Sequence, residues 1–180
     1  MHNYYSNYFT FIDEFNKEYL EKLHKKVHLI YRTKGDKFKL NTLKKLKFFC
    51  KTNKKKLFIS NNLRLAKKIN CDGIYISAHN KKLYKYDIDI KKKFKIIGSA
   101  HTINEICIKE KQGVSLIFLS PLFYSEKNKK YLDVSKFNLL SFRSKIKVIA
   151  LGGINNSNIK KLKMIKCSGF AAISYFRNKN

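Results

Sequence analysis

The chain has 180 residues, 44% of them hydrophobic, and a formal net charge of +28. This composition is enough for one folded core and no linker rich in Pro, Gly or Ser divides the sequence, so we predict a single domain over residues 1–180. There is neither an apolar run of membrane-spanning length nor a basic start followed by an apolar core, which excludes a transmembrane segment or signal peptide and favours a cytoplasmic protein without membrane partners.

The positive charge is spread along the whole chain. Among 40 basic residues only four are arginine, and the lysines do not form one block. A protein that reads nucleic acid uses arginine more often for base edges and phosphates. We therefore expect no specific nucleic-acid partner, and an electrostatic role in retaining phosphorylated substrates. The four cysteines and five histidines show no metal-ligand spacing, so zinc is not indicated and the thiols are expected to be reduced.

Eight short apolar runs recur along the chain with helix-length spacers between them. In chain order the predicted strands are residues 9–13, 27–34, 56–61, 73–77, 94–101, 116–121, 148–153 and 169–174. The predicted helices are residues 17–23, 40–49, 63–69, 103–111 and 159–164, while the crossovers at 80–93 and 122–147 are less regular. Eight alternating β and α units favour a compact (β/α)8 barrel. After strand 8 a truncated C-terminal helix is expected, with a flank that a second copy would cover in a homodimer.

The sequence from 148 to 174 has the pattern of the phosphate-binding end of such a barrel. A buried strand is followed by Gly152-Gly153, where the backbone can approach a ligand closely, and then by Asn-rich N-cap positions. In barrels of this class a phosphate often lies on the loops after strands 7 and 8, which makes Gly153 and Ser174 candidates. The alternative is that Gly-Gly followed by Asn marks an ordinary strand-to-helix turn.

Several motifs occur in an order that resembles the thiamine phosphate synthase/TenI family. They are YRTKGD at 31–36, FISNNLRLA at 58–66, CDGIYIS at 71–77, IIGSAHT at 96–102, FLSPLF at 118–123, and VIALGGI through AAIS at 148–174. The resemblance covers nearly the whole chain and implies the same barrel. It also implies thiamine biosynthesis: synthases of this family join hydroxymethylpyrimidine diphosphate to thiazole phosphate, and they release diphosphate.

The resemblance assigns roles to individual residues. Arg32 and Lys34 match the basic pair that holds the diphosphate, and Ser99 matches a residue whose hydroxyl contacts it. The alternative for Arg32 and Lys34 is a solvated strand end in a lysine-rich protein. The remaining substrate-binding candidates, in the loops after strands 6, 7 and 8, are Ser125, Lys127, Gly152, Gly153, Ile173 and Ser174.

The expected metal site is where the sequence departs from the family. The resemblance implies Mg²⁺ held by aspartates after strands 3 and 4, but residues 60–62 and 77–80 contain no carboxylate. Asn61 and Asn80 are left as neutral oxygen ligands, whereas Mg²⁺ at a diphosphate usually relies on one or two carboxylates. The resemblance therefore implies that Mg²⁺ binds, whereas the residues at this position make its binding doubtful.

His101 supports a second interpretation. TenI-type members lack the metal carboxylates and isomerise a carboxylated thiazole phosphate by moving a proton, and His101 matches their proposed acid/base. Histidine as a residue type titrates near neutrality, which suits proton transfer at physiological pH. Synthases carry a histidine in this motif too, and it can also simply support the loop. Three hypotheses therefore stand: a divergent synthase, which we favour, a TenI-like tautomerase, and a non-catalytic binder of phosphorylated thiamine precursors.

Overall fold

Eight parallel strands close into a barrel, as the sequence predicts. The computed structural model describes residues 5, 7–83, 94–126 and 129–177. Each strand pairs with its neighbours in chain order, and β8 pairs with β1, so that the sheet has no edge. The strands are β1 (Asn7–Ile12), β2 (Val27–Tyr31), β3 (Leu57–Ser60), β4 (Gly73–Ile76), β5 (Lys95–Ala100), β6 (Leu116–Leu119), β7 (Lys147–Leu151) and β8 (Gly169–Ala171).

Helices cover the outside of the described barrel. They are α1 (Lys17–Lys22), α2 (Leu40–Thr52), α3 (Leu63–Lys68), α4 (Ile103–Lys111), α5 (Asp133–Arg143) and α6 (Ser174–Arg177). Three of them begin with a side-chain cap, since Asn16, Asn62 and Thr102 each accept a hydrogen bond from the backbone N–H three residues later. None of the described helices is both long and apolar enough to cross a membrane.

The structure corrects several predicted boundaries. All eight strands end one to three residues earlier than predicted, and the residues after them belong to the loops at the end of the barrel. Residues 159–164 form a 3₁₀ helix instead of an α-helix, and Ser174 begins α6 instead of ending β8. The irregular crossover at 122–147 contains α5, while residues 84–93 of the other crossover lie outside the described residues. The predicted short C-terminal helix is α6, which has four residues.

The apolar residues form an outer core between sheet and helices and a separate inner core within the barrel. Alternate residues of each strand point to opposite faces, so Phe58 faces inward while Leu57 and Ile59 face the helices. Aromatic rings fill the interior: the Phe118 ring centroid lies 5.1 Å from that of Phe9 and 5.6 Å from that of Tyr75. The interior is therefore packed, and a ligand has to bind at one end of the barrel.

The four cysteines are free, as predicted. Burial raises the pKa of Cys50 and of Cys71 to about 12, so neither thiol ionises at neutral pH.

Candidate functional site

The carboxyl ends of the eight strands meet at one end of the barrel, which we call the mouth. Because the strands are parallel, residues that end or directly follow them share this end. The predicted site residues that the structure brings to the mouth are Arg32, Lys34, Asn61, Asn80, Ser99, His101, Ser125, Gly152, Gly153, Ile173 and Ser174. Lys127 lies outside the described residues.

Arg32 is the first residue after β2, and its guanidinium lies over an aromatic ring. Its backbone N–H donates to the carbonyl oxygen of Ile12 at 2.8 Å, and its Cζ atom lies 4.4 Å from the centroid of the Phe11 ring. The face of an aromatic ring attracts a cation and holds the planar guanidinium in one place. Arg32 remains exposed, as does Lys34 in the 3₁₀ segment Lys34–Asp36, so both cations are accessible to an anionic ligand.

Tyr75 and Ser99 form a buried polar pair beside Arg32. Both side chains are buried, and burial raises the pKa of Tyr75 while the Ser99 hydroxyl and the charge of Arg32 lower it. Tyr75 is only 2% exposed, and its ring centroid lies 5.2 Å from that of Phe11. Our sequence analysis missed Tyr75, although strand alternation in CDGIYIS predicts an inward side chain there.

His101 is held from two sides. Its Nδ1 lies 2.6 Å from the carbonyl oxygen of Ser120, and its backbone N–H donates to the Glu105 carboxylate at 2.6 Å. A carbonyl oxygen can only accept, so Nδ1 carries a proton and, in the neutral ring, Nε2 is the acceptor. No described residue makes a hydrogen bond to Nε2. The His79 ring lies nearby, with 6.3 Å between the ring centroids.

The donors at the expected metal site are used within the protein. The Asn61 side-chain oxygen accepts from Ser77 N at 3.0 Å and from Asn80 Nδ2 at 3.3 Å, and the Asn80 side-chain oxygen accepts from Lys82 N at 3.1 Å. Within residues 5, 7–83, 94–126 and 129–177, no three His, Cys, Asp or Glu side chains are grouped as a metal site. Asp72 accepts from Leu57 N at the opposite end of the barrel. The described residues at this position do not fit Mg²⁺, because two engaged neutral amides replace carboxylates.

Gly152 and Gly153 allow the loop after β7 to pack closely against the loop after β6. Both have positive φ angles, 95° and 70°. A Cβ atom on Gly152 would lie 2.9 Å from the Cα of Pro121, and one on Gly153 would overlap the carbonyl oxygen of Phe123. These glycines thus serve loop packing within the protein, in addition to any approach to a ligand.

The neighbouring candidates complete this side of the mouth. The Asn158 side chain donates to the carbonyl oxygen of Gly153 at 2.7 Å, and Arg177 N donates to that of Ile173 at 3.1 Å. Ser174 is exposed at the start of the single-turn helix α6, and Ser125 is half-buried.

Ser60 is a second residue that our sequence analysis missed. It is fully buried, alternates with the inward-facing Phe58 and pairs with Tyr75 in the sheet register. Its hydroxyl has no hydrogen-bond partner in the described part of the chain. A buried hydroxyl left unpaired costs free energy, and a hydrogen bond to a bound molecule or water would remove that cost.

Comparison with known proteins places the chain in a family. The family described as thiamine monophosphate synthase (TMP-TENI) matches residues 12–176. A thiamine-phosphate synthase from Methanococcus vannielii is 29% identical over 119 residues, covering 65% of this chain and 57% of the relative. One from Clostridium acetobutylicum is 31% identical over 133 residues, covering 72% of this chain and 63% of the relative. The chain thus spans less than two thirds of the length of either relative.

Two solved structures share the fold. The thiamine phosphate pyrophosphorylase from Pyrococcus furiosus has a TM-score of 0.74 at 17% identity, covering 97% of this chain and 89% of that one. The corresponding protein from Bacteroides thetaiotaomicron has a TM-score of 0.59 at 17% identity, covering 93% of this chain and 82% of that one. The family match over residues 12–176, together with the barrel and the residues at its mouth, shows that the chain belongs to the thiamine monophosphate synthase (TMP-TENI) family.

Proposed function

We propose that this chain is a divergent thiamine phosphate synthase that joins hydroxymethylpyrimidine diphosphate to thiazole phosphate. The observation that carries the proposal is the position of Arg32, whose guanidinium lies 4.4 Å from the Phe11 centroid, beside the Tyr75–Ser99 pair. A cation held in a fixed place at a barrel mouth suits a diphosphate better than a mobile lysine does. Membership of the family supplies the substrate class.

The proposed reaction exchanges one bond for another. The C–O bond between the pyrimidine methylene and the diphosphate breaks, and the diphosphate leaves with the electron pair. The thiazole nitrogen then donates its lone pair to the methylene carbon and forms the C–N bond. The protein's contribution is to orient the two substrates and to stabilise charge on the leaving group, the task proposed for Arg32 and Lys34. The exposed Lys129 and Lys130, after β6, add positive charge near the mouth.

A TenI-like tautomerase is the second candidate, and the geometry of His101 favours it. The bond from Nδ1 to the Ser120 carbonyl leaves Nε2 as a proton acceptor. In that reaction Nε2 takes a proton from one position of the thiazole ring and returns it to another. The engaged amides of Asn61 and Asn80 also suit a reaction that requires no metal ion.

The test is to incubate the purified chain with hydroxymethylpyrimidine diphosphate and thiazole phosphate, once with Mg²⁺ and once with EDTA, and to measure thiamine phosphate. The synthase proposal expects product in both, since the described metal-site residues lack carboxylates. Product only with Mg²⁺ keeps the synthase and contradicts metal independence. With no product in either mixture, isomerisation of carboxylated thiazole phosphate identifies a tautomerase, and binding of thiazole phosphate without turnover identifies a binder.

We also propose phosphorylated small molecules as the ligands, a homodimer as the assembly and the cytoplasm as the location. Light scattering on the purified chain tests the dimer, and cell fractionation tests the location.

A further inference from the structure

A fully buried lysine binds the turn that follows β4. Lys109 lies on α4 with none of its side chain exposed. Its ammonium group donates to the carbonyl oxygens of Ser77 and Asn80 and to the side-chain oxygen of Gln112, each at 2.8 Å. The three donors of the ammonium group therefore have three acceptors, two of them in one turn at the mouth.

Gln112 extends this contact along the same segment. Its side-chain NH₂ group donates to the carbonyl oxygens of Asn80, at 2.9 Å, and Lys82, at 2.8 Å. Gln112 is 1% exposed. Together the side chains of Lys109 and Gln112 hold residues 77–82 against the end of α4, and we call this arrangement the lysine clamp.

The sheet leaves space for the lysine clamp. Gly98 on β5 has no side chain, and a Cβ atom there would lie 3.2 Å from the Cδ of Lys109 and 2.9 Å from the carbonyl oxygen of Ile76. A larger residue at this position would push the lysine stem out of its path. A buried cation is costly, and burial lowers the pKa of Lys109 to about 8 although the nearby Glu105 raises it. The Lys109 side chain is long and ends in a charge among carbonyl oxygens. Such a side chain is better suited to hold the turn after β4 than to fill a core.

The clamped turn contains residues that face the mouth. It carries His79, whose ring centroid lies 6.3 Å from that of His101, and Asn80, whose side chain donates to Asn61 at the end of β3. Movement of the turn would therefore shift His79 relative to His101. It would also break the contact between the loops that follow β3 and β4.

We infer that Lys109 is a positioning residue, whose buried ammonium, with Gln112, fixes residues 77–82 at the mouth so that this edge binds its ligand without a divalent metal ion. The inference rests on the proposed function for the choice of diphosphate as ligand. The lysine clamp itself rests on the hydrogen bonds alone.

Lys55 offers a matched control. It is 6% exposed, and its ammonium donates to the carbonyl oxygens of Leu23, His24 and Val27 at 3.2, 2.7 and 3.3 Å. Burial lowers its pKa as well. These contacts lie where β2 begins, at the end of the barrel opposite the mouth. Lys55→Met thus removes a similar buried cation far from the site.

The experiment compares the full chain with its Lys109→Met, Gln112→Met and Lys55→Met variants in EDTA. Hydrogen exchange followed by mass spectrometry reports on residues 77–83, and calorimetry measures the affinity for inorganic diphosphate. We expect Lys109→Met to speed exchange in 77–83 and to weaken diphosphate binding about tenfold, because the turn that carries His79 and Asn80 is no longer held at the mouth. Gln112→Met should also speed exchange in 77–83 and weaken diphosphate binding. Lys55→Met should leave the exchange rate in residues 77–83 and the diphosphate affinity within twofold, while speeding exchange near residues 23–28.

Each outcome decides a separate point. Equal diphosphate affinity in Lys109→Met and Lys55→Met, or unchanged exchange in residues 77–83, overturns the inference. If Lys109→Met does not fold, the comparison of Gln112→Met with Lys55→Met decides in the same way. If the unaltered chain binds no diphosphate, the proposed function and the ligand assignment fail, whereas hydrogen exchange still decides whether the lysine clamp exists.

Discussion

Replacing Gly153 with alanine tests the contact between the loops after β6 and β7. The φ angle of Gly153 is 70°, and a Cβ atom there would overlap the carbonyl oxygen of Phe123 and lie 2.7 Å from that of Tyr124. Gly113 provides the control, since its φ is 69° and nothing lies within 4 Å of a Cβ atom there. The two alanine variants therefore share the backbone strain and differ in the steric clash.

Backbone strain and steric clash set the expected loss of stability in the two alanine variants. Left-handed backbone costs alanine about 1–2 kcal/mol, and the lower entropy of the unfolded chain offsets about 0.4–1 kcal/mol of this. Gly113→Ala should therefore lower the free energy of unfolding by about 1 kcal/mol. In Gly153→Ala the clash with backbone atoms adds about 1–3 kcal/mol, as in other overpacked sites. Because the loop must move, binding of thiazole phosphate should also weaken in Gly153→Ala and not in Gly113→Ala.

Urea unfolding followed by circular dichroism measures both stabilities, and calorimetry measures the binding of thiazole phosphate. If Gly153→Ala is no less stable than Gly113→Ala, the two loops do not approach each other as described. If it loses stability but binds thiazole phosphate normally, Gly153 serves loop packing alone.

Three further predictions concern the site and the barrel interior. Arg32→Lys should weaken diphosphate binding about tenfold in calorimetry, because an ammonium cannot reproduce the fork of a guanidinium; an unchanged affinity would mean that Arg32 makes no forked contact. His101→Ala should abolish any tautomerase activity while leaving thiazole phosphate binding within twofold, and persistent isomerisation would exclude His101 as the acid/base. Burial, aided by Lys56 and opposed by Asp72, lowers the pKa of His28 to about 4. Since the unfolded chain then binds more protons between pH 6.5 and 4, stability should be full above pH 6.5 and fall by up to about 3 kcal/mol towards pH 4. In urea unfolding at pH 7 and pH 4.5, His28→Gln should reduce this fall, and an equal fall in the variant would refute the assignment.

The barrel could be predicted because its strands are buried on both faces and read as apolar runs. Runs such as 148–151 and 116–119 indicate parallel strands without any knowledge of their partners. Boundaries were less predictable: residues 32–34 directly follow the apolar run of β2, yet β2 ends at Tyr31 and Lys34 already belongs to a 3₁₀ segment. Likewise, the helical spacing of residues 159–164 does not distinguish an α-helix from the 3₁₀ helix that Ile159–Met164 forms.

The site could be predicted only in part. Motifs point to Arg32 and His101 as candidates, but the features that hold them come from the neighbouring strand or the loop after it: the Phe11 ring under Arg32 and the Ser120 carbonyl at His101. Lys109 could not be singled out among so many lysines. Its burial depends on Gly98, eleven positions earlier, and on a turn that precedes it by about thirty residues. No local pattern encodes such a contact.

Formation of thiamine phosphate in EDTA, by the unaltered chain and by Arg32→Ala, tests the proposed function most directly. We predict product from the unaltered chain and a loss of at least tenfold in Arg32→Ala, because the diphosphate loses its fixed cation. The absence of product from the unaltered chain, with Mg²⁺ as well as with EDTA, would contradict the synthase proposal.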